Sequence, residues 1–198
     1  MINEINFRES FPKEIKITAK EFFEFTESRP ENERYELIDG RIYMMASPSV
    51  NHQYIIGEIH GELRNYLKGK KCRPFMAALD VVLFEKDKKT DASQNVFQPD
   101  VFVVCDPNKI GDKRINGAPD LIVEVVSPSS EIHDYLRKFK VYMQYGVKEY
   151  WIANPMKKEI TVYFNTEDEE DYKTYTFDDK IKVGIFEDLE IDFKELQI

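Results

Sequence analysis

Short apolar runs alternate with turn signals along this chain, and the period of each run predicts its element. Thr18-Ala19-Lys20-Glu21 reads as a capping box, which opens a short helix carrying Phe22, Phe23 and Phe25. After the breaker RPENER, the segments RYELI and RIYMMA flank Asp39-Gly40, a dipeptide that tolerates positive φ and so favours a tight hairpin. In VNHQYIIGEIHGELRNYLKGK the residues Ile55, Ile56, Ile59, Leu63, Tyr66 and Leu67 recur at helical spacing, with Gly69 as the stop. CRPFMAALDVVLFE predicts one long, bulged strand, and FQPDVFVVCD a second after the polar KDKKTDASQN. The loop PNKIGDKRINGA leads into PDLIVEVVS, the most β-rich segment.

SPSS is a helix-start signal, and EIHDYLRKFKVYMQY places Ile132, Leu136, Phe139 and Met143 on one face, ending at Gly146. KEYWIANP, ITVYF and YKTYTF then read as strands, with EDEED as a solvated loop. The order predicts an α/β (α+β) fold in a single domain over 1–198, with a mixed central sheet flanked by helices. The strands before and after the third helix form a crossover unit in that reading. The core spans about 18–164, and an acidic, β-rich C-terminal extension with extra strands covers about 165–198.

Composition narrows the class. The 198 residues carry 28 basic and 37 acidic side chains, for a net charge of −9. A 42% apolar and 13% aromatic content excludes a disordered chain. The acidic balance argues against an architectural nucleic-acid binder but leaves room for a local basic groove. Residues 156–198 hold 6 basic and 13 acidic groups, so −7 of the charge lies there and the body is close to neutral. Cys72 and Cys105 form no CxxC pair and match no zinc spacing, so free, buried structural thiols in a reducing cytoplasm are expected. No apolar run approaches the roughly 20 residues of a membrane span, and the charged start MINEINFRESFPKEIK lacks a signal-peptide stretch, so a soluble, cytoplasmic protein without membrane contact is expected. GxGxxG, GxxxxGK and GxSxG are all missing from the sequence, so no nucleotide cradle or serine elbow is indicated.

The chemistry is carried by carboxylates in apolar strands. Alternation in LIVEVV puts Ile122, Glu124 and Val126 on one face and Leu121, Val123 and Val125 on the other. A strand apolar on both sides is normally covered on both faces, so Glu124 must be neutralised, paired or bound to a metal. Asp100 shares a face with Gln98, Phe102 and Val104, and Pro99 marks a strand start or edge where a cleft can open. Antiparallel pairing would bring Asp100 beside Glu124, where a hard divalent ion such as Mg²⁺ would relieve their repulsion. Asp120 lies roughly 13 Å from Glu124 along an extended strand and reads as a loop boundary. His52 and His60 are about 12 Å apart along a helix, too far to share an ion.

QPD followed on a neighbouring strand by E-x-V, then a helix with a lysine, resembles the restriction-endonuclease-like PD-(D/E)xK nuclease superfamily. More narrowly, YELIDG, SPSxNH, QPD, APDLIVEVVSPSS, Lys138-Phe139 with Tyr142, and GVKEYWI together resemble the Uma-two family of endonucleases, from about Thr18 to about Phe164. The resemblance implies a Mg²⁺-dependent endonuclease, with Mn²⁺ as a substitute and DNA as substrate. Asp100 and Glu124 would hold the metal and Glu36 would be a further acidic position. The usual lysine position is Val126 here, and Lys138 resembles the family's migrated lysine, acting on phosphate or water. Helical geometry sets Lys138 on a flank with Tyr135 and Tyr142, off the apolar face, with Lys140 and Arg137 as rivals. Gln98, His52 and Tyr142 are candidates for substrate or supporting contacts. A homodimer would bring two sites to two DNA strands. Two rival readings stand beside this one: an inactive nuclease fold that binds nucleic acid or protein, which Val126 and the modest basic content favour, and a hydrolase of small phosphate or acyl substrates.

Overall fold

A computed structural model of the protein describes residues 3–4, 16–85, 89–127, 132–166, 171–196 and 198, with the backbone alone at 3–4 and 132–134. The helix-start signal at Pro128–Ser130, the side chain of Ile132, most of the EDEED loop and most of the N-terminal charged segment lie outside the described residues.

The elements run β1 (Asn3–Glu4), α1 (Ala19–Glu27), β2 (Tyr35–Ile38), β3 (Arg41–Met44), α2 (Val50–Leu67), β4 (Arg73–Met76), β5 (Val81–Leu83), β6 (Asn95–Phe97), β7 (Val101–Val104) and β8 (Ile115–Asn116). They continue with β9 (Leu121–Val125), α3 (Ile132–Gln144), β10 (Glu149–Asn154), β11 (Glu159–Phe164), β12 (Tyr172–Thr176), β13 (Lys180–Lys182) and β14 (Glu190–Asp192). The capping box forms at α1: Thr18 N–H donates to Glu21 Oε2 at 2.7 Å, and Glu21 N–H donates back to Thr18 Oγ1. The β2–β3 hairpin turns on Asp39 (φ 50°) and Gly40 (φ 75°), and a Cβ at Gly40 would stand 2.6 Å from Lys16 Cβ.

The described strands form two six-stranded sheets and a β13–β14 pair. One sheet has the order β1-β3-β2-β6-β5-β8, and the other β12-β11-β10-β9-β7-β4. The two long strands expected from CRPFMAALDVVLFE and FQPDVFVVCD are each broken in two. β4 pairs antiparallel with β7 in one sheet, and β5 with β6 in the other. A bent two-stranded ribbon thus passes from sheet to sheet, with its bends at residues 77–80 and 98–100. The bend follows from Pro99, which cannot donate to a ladder. Ala77 N–H donates to the Asp100 carbonyl at 3.1 Å and ties the two bends together. Gln98 and Asp100 therefore lie in a break, not on a continuous strand face.

β9 pairs parallel with β10 across α3 and antiparallel with β7, which is the mixed sheet that the crossover reading expects. Leu121, Val123 and Val125 enter one core with α2, Trp151 and Phe193. Ile122 and Val126 enter the other, beneath α3, with Tyr142 and Tyr150. The alternation read from LIVEVV holds, and it puts Glu124 under α3.

Two expectations are corrected. The apolar face assigned to α3 is only partly the buried one: Phe139 and Met143 pack against the core, but Leu136 is 39% exposed, while Tyr135, Lys138, Val141 and Tyr142 are buried. Cys72 and Cys105 are joined in a disulfide and partly buried, not free thiols. Their strands pair with Arg73 opposite Val104, so the next pair outward is Cys72 and Cys105, with Cα atoms 3.9 Å apart. Among the described residues no helix is long and apolar enough to cross a membrane.

Candidate active site

The break in the ribbon opens where three elements converge. β2 brings Glu36, β9 brings Glu124 and α3 brings Lys138. Glu36 is fully buried, and Glu124 and Lys138 are each 3% exposed. Lys138 Nζ donates to Glu36 Oε1 at 2.9 Å and to Glu124 Oε1 at 3.1 Å. Tyr142, one turn along α3, donates its hydroxyl to the same Glu124 oxygen at 2.9 Å. Val126 keeps the usual lysine position apolar and buried, and the ammonium arrives from the helix instead.

Asp100 completes the arrangement from the bend before β7. Its Oδ2 accepts Val125 N–H at 2.8 Å and lies 3.2 Å from His52 Nε2. The β7–β9 register, with Val101 opposite Val123, puts Asp100 level with Glu124. Gln98 N–H donates to Glu36 Oε1 at 3.0 Å, and its side-chain amide turns to Asp80 Oδ1 at 2.9 Å. Three buried polar atoms here lack a hydrogen-bond partner: Glu36 Oε2, His52 Nδ1 and Gln98 Oε1. Buried polar groups are normally satisfied by protein or by ordered water.

The electrostatics follow from burial around one cation. Glu124 is pushed up to about 8 by loss of solvent, with the Asp100 and Glu36 charges adding to the rise and the Lys138 charge opposing it. Burial works against the Lys138 ammonium, but Glu124 and Glu36 more than offset it and its pKa rises. Burial, then the charges of Glu124 and Glu36, lift the Tyr142 hydroxyl well above its ordinary value, so it stays a donor. Removing Lys138 would strand buried carboxylates, a change that costs about 3–5 kcal/mol in buried pairs.

The residues expected from the sequence fall into two groups. Glu36, Asp100, Glu124, Lys138, Tyr142 and His52 converge, and Gln98 touches the cluster through its backbone. Arg137 and Lys140 are exposed, and Arg137 Nη1 donates to Tyr43 Oη at 3.0 Å at the rim. Asp120 accepts Cys105 N–H and pairs with Lys148 Nζ at 2.7 Å, in keeping with a boundary role. Asp80, which accepts from the Gln98 amide, is a further polar residue beside the cluster; its signal in the sequence is a carboxylate directly before the apolar run VVLF, at a strand start.

Asp100 and Glu124 offer oxygen donors only, which suits a hard cation. Among the described residues no three His, Cys, Asp or Glu side chains form a metal-binding group. Mg²⁺ is commonly held by only one or two carboxylates, with water and phosphate oxygens filling its shell.

The protein has a mixed α/β fold, with α3 crossing a mixed sheet and buried acids and a lysine at a strand break. The chain belongs to the Uma2 family, described as "Putative restriction endonuclease", whose model matches residues 19–194. It is 30% identical over 159 residues to an uncharacterised protein of Synechocystis sp. (strain ATCC 27184 / PCC 6803 / Kazusa), covering 80% of this chain and 77% of that one. In fold it is similar to the crystal structure of "a putative nuclease belonging to DUF820" from Anabaena variabilis ATCC 29413. The TM-score is 0.71 at 19% identity, over 88% of this chain and 95% of the other.

Proposed function

We propose that the protein is a Mg²⁺-dependent endonuclease that hydrolyses DNA phosphodiester bonds. The observation that carries this reading is the convergence of Glu36, Asp100, Glu124 and Lys138 at the sheet break. The family's description and the named function of the structural neighbour support it. Asp100 and Glu124 would hold the cation, which would lower the pKa of a bound water and offset charge on the phosphate. Lys138, held protonated by its carboxylate neighbours, sets a fixed positive charge beside the scissile phosphate, where negative charge grows during attack. Glu36 orients Lys138, and Tyr142 fixes the rotamer of Glu124 through Oε1.

The test is cleavage of supercoiled and linear DNA with Mg²⁺ by wild type, Glu124→Ala and Lys138→Ala. Each substitution is expected to slow cleavage by roughly 10²-fold or more. Equal rates in the three proteins would overturn the assignment. A binding module without turnover draws on the same geometry, since Lys138 is already engaged by two carboxylates. Its signature is steeply salt-dependent DNA binding with no Mg²⁺-dependent product.

A further inference from the structure

The roles given above leave His52 without one. It enters the site from the first turn of α2, where Ser49 Oγ accepts its backbone N–H at 3.2 Å, so the helix start fixes where the imidazole points. The residue is 9% exposed, and Nε2 faces Asp100 Oδ2. That same oxygen accepts the Val125 N–H. A carboxylate only accepts, so Nε2 carries the proton in this contact. Two donors from two elements, α2 and β9, thus grip one oxygen of Asp100. They oppose rotation about its terminal torsion, which is otherwise broad and soft. Nδ1 is out of solvent, and the Val125 backbone also acts on the ring. With one nitrogen engaged and the other shut away from water, the ring is badly placed to trade protons with a substrate. It is well placed to hold a neighbour still.

We infer that His52 is a positioning residue, which locks the Asp100 carboxylate in one orientation for the divalent cation of the proposed nuclease. The inference rests on that reading of Asp100. Partners behind a metal ligand commonly contribute 10–100-fold in metal affinity or activity, by orienting the ligand and tuning its basicity.

The experiment measures Mn²⁺ affinity by calorimetry on the full chain, in the absence of DNA. Wild type is compared with His52→Gln, which keeps an N–H donor, with His52→Met, which fills similar space without one, and with Asp100→Ala. Far-UV circular dichroism and urea unfolding accompany each. His52→Met is expected to bind Mn²⁺ about 10–100-fold more weakly, and His52→Gln to recover most of that loss. Equal affinities for His52→Met and His52→Gln, whether both normal or both weakened, would overturn the positioning role, because the donor would then be irrelevant. Asp100→Ala separates the two ideas. Wild-type Mn²⁺ affinity in that variant would sink the metal site itself, and the inference with it. Lost affinity there, with His52→Met unimpaired, would remove the inference alone.

Discussion

Two buried carboxylates, Glu124 and Glu149, are told apart by their partners. Glu124 faces an ammonium, a phenol and two further acids at a break in the sheets. Glu149 is equally buried but is met by neutral donors: Trp151 Nε1 at 2.7 Å and Ile185 N–H at 2.9 Å. Glu149 pins the C-terminal segment to β10 and has no part in the proposed chemistry. Burial raises its pKa above the ordinary 4.5, and the donors from Gly184, Trp151 and Ile185 only partly counter this. The folded protein therefore holds this proton more tightly than the unfolded chain does. The group's contribution to stability is full below pH 4.5 and is lost as pH rises through the higher folded value. Trp151 is the one tryptophan in the sequence, so it reports on Glu149 without interference from another indole. Its emission is expected to titrate with a midpoint above 4.5, and Glu149→Gln should abolish that step and flatten the urea-unfolding energy across the same window. A midpoint at or below 4.5 would contradict the assignment.

At the level of elements, what could be read from the sequence was local. The capping box, the Asp39-Gly40 hairpin and the two faces of β9 depend on residues a few positions apart, and each forms as its pattern predicts. The ribbon that changes sheets and the Cys72–Cys105 bond depend on register between segments up to 33 residues apart, which spacing along one chain does not encode. α3 departs from its apolar periodicity for a different reason. Counting apolar residues assumes that buried means apolar, and this helix buries Lys138 because carboxylates wait for it while Leu136 points outward. A local rule failing at a functional site is the expected pattern. The same logic explains why Asp100 and Glu124 were legible, as charges in apolar strands, while the contact between His52 and Asp100 was not. The orientation of α3 predicts a ranking that reverses the apolar periodicity. Leu136→Gln should change stability by no more than about 0.5 kcal/mol, as at an ordinary surface position. Val141→Ala should cost upward of about 1 kcal/mol, as at a buried one. Urea midpoints in the opposite order would restore the face read from sequence.

Across the whole molecule, the acidity sits in a segment that the fold needs. Phe177, Ile181, Val183, Leu189, Ile191 and Phe193 join the core that holds Trp151 and Val123, so the −7 carried beyond residue 155 is not on a dispensable tail. Part of it lines a groove where Glu187, Asp188, Glu190, Asp192 and Glu195 face Glu58 and Glu62 of α2, and acids outnumber the two lysines there, Lys180 and Lys182. Those α2 positions lie roughly 9–15 Å along the helix from His52, at 1.5 Å per residue. At that range the groove would repel a DNA backbone held at the proposed site through the field of the molecule. Such a field is weakened strongly once the Debye length falls to about 8 Å at physiological salt. Glu58→Gln, Glu62→Gln, Glu187→Gln and Glu195→Gln combined remove four charges and bring the net charge from −9 to −5. In an inactive Glu124→Ala background, that variant is expected to associate with duplex DNA faster and more tightly at low salt, with the gain fading as salt approaches physiological strength. Fluorescence anisotropy across a salt series checks it. A gain that persists at high salt would mean that the groove contacts DNA directly. No gain at low salt would mean that the global charge does not limit binding, and that the near-neutral body around Glu36, Asp100 and Lys138 sets the affinity by itself.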